Sequence, residues 1–333
     1  MKRISKIIST GLKVPDKILT NQYFNEFFKE DVGAWLESMV GQKERHILGE
    51  NESVSDLSIE AAFMALNEGG VAPEELNLII VSSDTHEYIS PPTSFVVQGK
   101  LGAKNAMNFD LNASCASFVT ALSTADRWLK TEVNAKYALV IGQYGMTKYL
   151  DWNDKYTATL FADGAGAFLL KGEETDEEAG ILGSAFVADG TYFDYIGVFG
   201  GGTKHPLNED TISKGLNKLR ILKRYPPDIN SKNWPILTRN LMEKIDKNLD
   251  DINMIFFTQI NLTTIKEVMF NLNIPLEKTH WVMDKYGYTG SACIPMAVHD
   301  ARVQGKLKKG DLIVLVASGA GYAMGAIALK WSL

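Results

Sequence analysis

Two cysteines and five histidines are the side chains with which this chain could do covalent chemistry. Cys115 stands between a stretch that reads as a strand, Ala106–Leu111, and an apolar stretch that reads as a helix, Phe118–Leu129. A thiol in that place feels unpaired N–H groups and the positive end of the helix dipole, which lowers its pKa and favours thiolate. A thiolate accepts an acyl group from a thioester and releases it again. The neighbours Ala113, Ser114, Ala116 and Ser117 are small, so backbone and substrate can approach closely. A free cysteine also serves as a small buried hydrophobe, and Cys293, at a second helix start, is read that way. His46, His86, His205, His280 and His299 lack ligand spacing with the two cysteines, so no metal site is expected.

The elements that must hold Cys115 follow from apolar periodicity. Short apolar runs alternate with amphipathic stretches, the pattern of α/β architecture. Strands are expected at Leu76–Val81, Tyr137–Ile141, Ala165–Leu170, Met254–Phe257, Leu312–Val316 and Ala326–Trp331. Helices are expected at Ser55–Glu68, Pro235–Leu249, Thr264–Leu272 and Ile294–Gln304. The stretch from Gly180 to Pro227, with Gly200-Gly201-Gly202 and Pro226-Pro227, reads as irregular linker and surface excursion. An internal repeat is also visible. Cys115 opens a helix that precedes a strand leading to Gly142, 27 positions on; Cys293 does the same toward Gly319, 26 positions on.

Composition narrows the functional classes. The chain has 333 residues, 45% of them hydrophobic and 22% charged, which suffices for a large core without disulfide or metal staples. A net charge of −6 argues against general nucleic-acid binding. No apolar run is long enough to span a membrane, and the N-terminus has no secretory pattern, so a cytoplasmic protein with reduced thiols is expected.

Four segments carry a family resemblance. Asp110-Leu111-Asn112-Ala113-Ser114-Cys115-Ala116-Ser117-Phe118 resembles the active-site segment of β-ketoacyl-acyl-carrier-protein synthase III. Phe161-Ala162-Asp163-Gly164-Ala165-Gly166-Ala167 is similar to that family's Gly-rich turn, with Ala162 where Gly is usual. Trp35, Gly41, Glu44, Arg45, His46 and Ile47 match its N-terminal pattern, and Gly319-Ala320-Gly321-Tyr322-Ala323-Met324-Gly325 its terminal loop. The resemblance implies a five-layered αβαβα thiolase-like fold with two pseudo-symmetric halves, 1–172 carrying the nucleophile and 173–333 carrying the terminal Gly-rich loop. It implies a homodimer, an oxyanion hole from the backbone N–H groups of Cys115 and Ala320, and acyl-CoA or acyl-phosphopantetheine as substrate with no further cofactor. Trp35 matches a residue that stacks on the CoA adenine. Asp84–Pro92 matches a dimer-interface loop whose Tyr88 and Ile89 would shape the neighbouring acyl pocket, and Phe161 is placed at the substrate.

The pattern breaks at the family's other triad positions. Its His-Gln-Ala-Asn motif is Thr258-Gln259-Ile260-Asn261 here, and its Gly-Asn-Thr-Ser motif is Gly287-Tyr288-Thr289-Gly290. Thr258 and Tyr288 therefore stand where His and Asn would stabilise the enolate of decarboxylation. Threonine offers one hydroxyl and cannot carry positive charge. Tyr288 offers a phenol donor or fills the tunnel. His86 and His205 are the candidates to replace the lost imidazole. Two family arginines map to Met39 and Thr263, which weakens the case for CoA. Lys214, Lys218, Arg220, Lys223 and Arg224 form a basic run that suits an acidic acyl carrier protein or is a solvated face. Acyl loading on Cys115 followed by transfer to carbon (a Claisen-type condensation) or to another acceptor is the leading expectation, in fatty-acid-like or polyketide biosynthesis. The alternative is a catalytically impaired subunit supporting a paralogous partner.

Overall fold

A computed structural model describes residues 1–333. Its first sheet holds, in spatial order, Lys2–Lys13, Asp163–Thr175, Tyr137–Gly145, Leu78–Ser82 and Met107–Leu111. The second holds Met254–Phe257, Leu312–Gly319, Gly321–Lys330 and Gly180–Tyr192. Each sheet mixes parallel pairs, such as Leu78–Ser82 with Tyr137–Gly145, and antiparallel ones, such as Leu312–Gly319 with Gly321–Lys330.

Both sheets are apolar on both faces, and alternate residues serve different layers. Leu78, Ile80, Ala138 and Val140 face inward, while Ile79, Val81, Leu139 and Ile141 join the core under the Val54–Gly69 and Thr93–Leu101 helices. In the second sheet Phe256, Ile313 and Leu315 face inward, and Ile255, Phe257 and Val314 face the Ile229–Lys244 and Leu262–Leu272 helices. The inward residues of both sheets close on one shared pair of helices, Ser117–Thr131 and Cys293–Val303. Each large buried side chain contributes about 1.5–3 kcal/mol, so a one-residue slip of any strand would be prohibitive. The layers run helix, sheet, helix, sheet, helix, which is the αβαβα order implied by the resemblance.

Two expectations need correction. Gly180 to Pro227 does not begin as a linker: Gly180–Tyr192 is a thirteen-residue strand antiparallel to Gly321–Lys330. Its second half lies at the sheet edge and is largely exposed, so it lacks the apolar run that marks the inner strands. The helix expected from Pro235 starts at Ile229 and ends at Lys244, with Pro235 inside it. Proline removes the N–H that would bond the Ser231 carbonyl. The Asn271 side-chain amide bonds that carbonyl instead, at 3.3 Å, and fully buried Trp234 stacks on Phe257. No helix is long and apolar enough to cross a membrane.

Candidate active site

The two matched segments meet across the middle of the molecule. A Cβ on Gly319 would lie 2.4 Å from the Ala113 carbonyl oxygen and 2.9 Å from the Cys115 nitrogen. A Cβ on Gly142 would lie 2.6 Å from the Ser291 carbonyl oxygen. Each strand glycine thus abuts the helix-start loop of the other half, and neither position has room for a side chain.

Cys115 sits in the loop between the Met107–Leu111 strand and the Ser117–Thr131 helix. Ser114 before it is left-handed, with φ of 50°, at a cost of roughly 1–2 kcal/mol. Three bonds hold that turn: Ser114 N–H to Asn112 Oδ1 at 2.9 Å, and both Ser117 N–H, at 3.0 Å, and Ser117 Oγ, at 2.5 Å, to the Ser114 carbonyl. At about 0.5–1.5 kcal/mol each, they outweigh the strain. The N–H groups of Cys115 and Ala320 find no acceptor in the chain. The next N–H, of Gly321, bonds the Tyr225 hydroxyl at 3.1 Å.

A cavity of about 330 Å³ opens on the thiol. Residues 84–161 supply Asp84, Asn112, Ser114, Cys115, Tyr144, Met146 and Phe161; the opposite wall includes Tyr225, Thr258, Tyr288, Gly319, Ala320 and Tyr322. Phe161 lies 5.5 Å from the Tyr288 ring and 6.3 Å from the Tyr144 ring, centroid to centroid. The Tyr288 and Tyr144 phenols line the same cavity and, as hydrogen-bonding neighbours, act to pull the thiol's pKa down. Burial pushes the thiol up from its ordinary value, and the nearby Asp84 carboxylate pushes it further; the two tyrosines offset this only in part. The surroundings of the thiol thus oppose the lowering expected from the helix start. No cation stands beside the sulfur to repay its desolvation. Burial also holds the Tyr288 and Tyr144 phenols well above their ordinary range, so both stay protonated donors.

The remaining residues singled out from the sequence fall in different places. Thr258 lines the cavity, but its hydroxyl accepts from the Ser318 N–H at 3.1 Å and lies 3.5 Å from the Ser318 carbonyl. Asn261 lies outside the cavity wall and caps the Leu262–Leu272 helix, accepting from the Thr263 and Thr264 N–H groups. His86 turns to Asp110, at 3.1 Å, whose carboxylate also accepts from the Thr93 and Ser94 N–H groups. Tyr88 and Ile89 are exposed, and His205 lies in the loop after Gly200-Gly201-Gly202, away from the cavity. His46, His280 and His299 bond Pro15, Asp300 and Thr10, so no imidazole reaches the thiol. Half-exposed Trp35 borders a separate groove with Tyr156, Arg220, Lys223 and Arg224, which shares Ile196, Leu219 and Tyr225 with the cavity. Asp210 and Asp194 pair with Lys214 and Lys223 of the basic run, leaving Arg220 and Arg224 as its cations along the groove.

Sequence reading missed Tyr144 and Asp84 as cavity residues. Both stand where a strand of the first sheet ends or has just ended, and only the sheet order brings those ends together.

The geometry has close relatives. A β-ketoacyl-[acyl-carrier-protein] synthase III of Natranaerobius thermophilus is 36% identical over 331 residues, covering 98% of this chain and 99% of the relative. The chain belongs to the β-ketoacyl-acyl-carrier-protein synthase III family. Its residues 109–190 match the model of 3-oxoacyl-[acyl-carrier-protein] synthase III, and residues 242–331 match that of the C-terminal region of the same enzyme. The synthase III of Ehrlichia canis is 36% identical over 330 residues, covering 99% of this chain and all of the relative. Among solved structures, the synthase III of Aquifex aeolicus superposes with a TM-score of 0.86 at 32% identity, covering 98% of this chain and 100% of that one. This synthase III relative thus carries the thiolase-type fold with Thr258 and Tyr288 in its candidate site.

Proposed function

We propose that this synthase III family member takes an acyl group from an acyl carrier protein or acyl-CoA as a thioester on Cys115. It then passes the group to a carbon nucleophile or another acceptor in fatty-acid-like or polyketide assembly. The observation that carries this reading is the convergence at one cavity of the Cys115 thiol, two N–H groups without acceptors and two phenol donors. Attack by sulfur on a thioester carbonyl places negative charge on oxygen, and donors fixed beforehand stabilise it without reorganisation. The backbone N–H groups of Cys115 and Ala320 take that role, with Tyr288 as a further donor. Thr258, engaged with Ser318, is assigned to holding the strand end rather than to the reacting atoms, and Asn261 to its helix cap.

The groove beside Trp35 supports entry of the pantetheine arm along Arg220 and Arg224 toward Cys115. His86 and His205 are left outside the acyl path and Phe161 against it, while exposed Tyr88 and Ile89 are kept for the pocket of a partner subunit. Met107–Leu111 pairs on one side only and ends the first sheet, which favours a homodimer formed along that edge. The strands of the two sheets come from residues 2–175 and 180–330, which supports reading 1–172 and 173–333 as the two halves. No feature of the cavity favours an inactive partner subunit over an enzyme.

Intact-mass spectrometry against a panel of acyl-CoAs and acyl carrier proteins tests the reading. The expected result is one acyl adduct, absent from Cys115→Ser, that is consumed when a malonyl donor or other acceptor is added. A chain that takes no acyl group from any donor refutes it.

A further inference from the structure

Loading an acyl group on a thiol that burial keeps protonated requires a base at the moment of attack. No imidazole lines the cavity, and the tyrosines there are held in their neutral form by burial. Asp84 is the one carboxylate on the cavity wall. Its Oδ1 is buried and has no hydrogen-bond partner. The neighbouring hydroxyls do not serve it: Ser83 and Thr85 bond each other at 2.9 Å, and Thr85 accepts from the Gly145 N–H at 2.9 Å. Those bonds fix the backbone on both sides of Asp84, so a carboxylate with one unpartnered oxygen is held against the cavity. An unpartnered buried carboxylate oxygen is costly, which a structural role does not explain.

We propose that Asp84 is the proton acceptor for Cys115 during acyl loading and the proton donor to the departing thiol. This deepens the function proposed above and rests on it. As the sulfur–carbon bond forms, the thiol proton passes to the Asp84 carboxylate through a water in the cavity that both side chains line. The tetrahedral oxyanion is held by the Cys115 and Ala320 N–H groups. It collapses with cleavage of the bond from carbon to the pantetheine sulfur, and that sulfur takes the proton back from Asp84. No net charge or electron is left over. The groups facing Asp84 are Cys115, Tyr144 and Tyr149, all uncharged at neutral pH, and His86 beside it in the loop. Burial pushes the carboxyl up to about 6, against its own backbone N–H and His86, which pull it down. The base form is therefore present above that pH and lost below it.

The test is the pre-steady-state rate of acyl-adduct formation on the full-length protein across pH, with Asp84→Asn beside wild type and iodoacetamide labelling of Cys115 as a second readout. Wild-type loading should rise through a pH of about 6. Asp84→Asn should load ~100-fold more slowly and lose that inflection, while labelling by iodoacetamide holds or quickens because a negative neighbour has gone. A disrupted pocket would slow both readouts alike and would overturn the assignment. So would an Asp84→Asn protein that loads at the wild-type rate with the wild-type profile. If Asp84→Asn does not fold, Asp84→Glu and the wild-type profile decide: a shifted inflection with partial activity supports the role, and a flat wild-type profile refutes it. Failure of wild type to load any donor would overturn both this assignment and the function beneath it, whereas normal loading by Asp84→Asn overturns this assignment alone.

Discussion

Cys115 and Cys293 occupy matching places at the starts of the two central helices, yet only one of them meets a cavity. Cys293 is 1% exposed, and burial pushes its thiol up to about 12. It sits in the apolar core with Ile294 and Met296, and no phenol donates to it. Cys115 has only small neighbours, and across from it lie a turn with a free Ala320 N–H and the ring of Tyr288. Position in the fold is the same; what faces the sulfur from the opposite half differs. On the proposed function, the opposite wall rather than the helix start sets the two thiols apart.

The largest expected break of this contrast comes from the cysteines themselves. Cys115→Ser should lower acyl-adduct formation ~10⁴-fold, read by intact mass. Cys293→Ser should leave loading within about twofold and cost about 1–3 kcal/mol through a buried hydroxyl, read by thermal melting. The crossing glycines come next. Gly319→Ala drives a Cβ into the backbone of the Cys115 loop and should slow loading by ~10²–10³-fold. Gly142→Ala presses on Ser291, in the opposite half, and should lower the melting temperature with a smaller loss of loading. Equal kinetic effects of the two glycine variants would undo the argument that one loop is functional and its counterpart structural.

Smaller effects sharpen the account of the donors. Tyr288→Phe removes one donor while keeping the ring packed beside Phe161 and Tyr144, and should cost ~10–100-fold in loading. Thr258→Val should cost about 1 kcal/mol of stability from the lost Ser318 bond and leave the loading rate nearly unchanged. Last is a pH dependence. Because the Cys115 thiol is pushed up, the rate of its alkylation should keep climbing above pH ~9.5, about a unit past an ordinary cysteine's pKa, where such a cysteine levels off. An early plateau would restore the thiolate expected from the helix start.

Much of this was legible in the sequence, and the omissions have physical causes. Short continuous apolar runs made strands readable at Leu76–Val81, Met254–Phe257 and Leu312–Val316, and the structure has them at Leu78–Ser82, Met254–Phe257 and Leu312–Gly319, buried on both faces. The small residues about Cys115 pointed to a candidate nucleophile, and the resemblance of the terminal Gly-rich loop implied Ala320 as a candidate oxyanion donor. The direction of the thiol's shift could not be read, because it depends on burial and on Asp84, which is 31 positions away and arrives only through sheet order. Tyr144 was hidden at the end of a strand that reads as core. Thr258 looked like a replacement donor because its type was visible and its engagement with Ser318 was not.

The crossing of Gly142 and Gly319 ties chemistry to assembly order. The thiol emerges early in synthesis, but its opposing donors are encoded beyond residue 286, so a nascent or truncated chain can carry a sulfur without a pocket around it. Separate expression of the two segments would give one polypeptide with the nucleophile and one with its electrostatic lining. Only docking of the pair, glycine against carbonyl on both sides of the seam, would switch acyl exchange on.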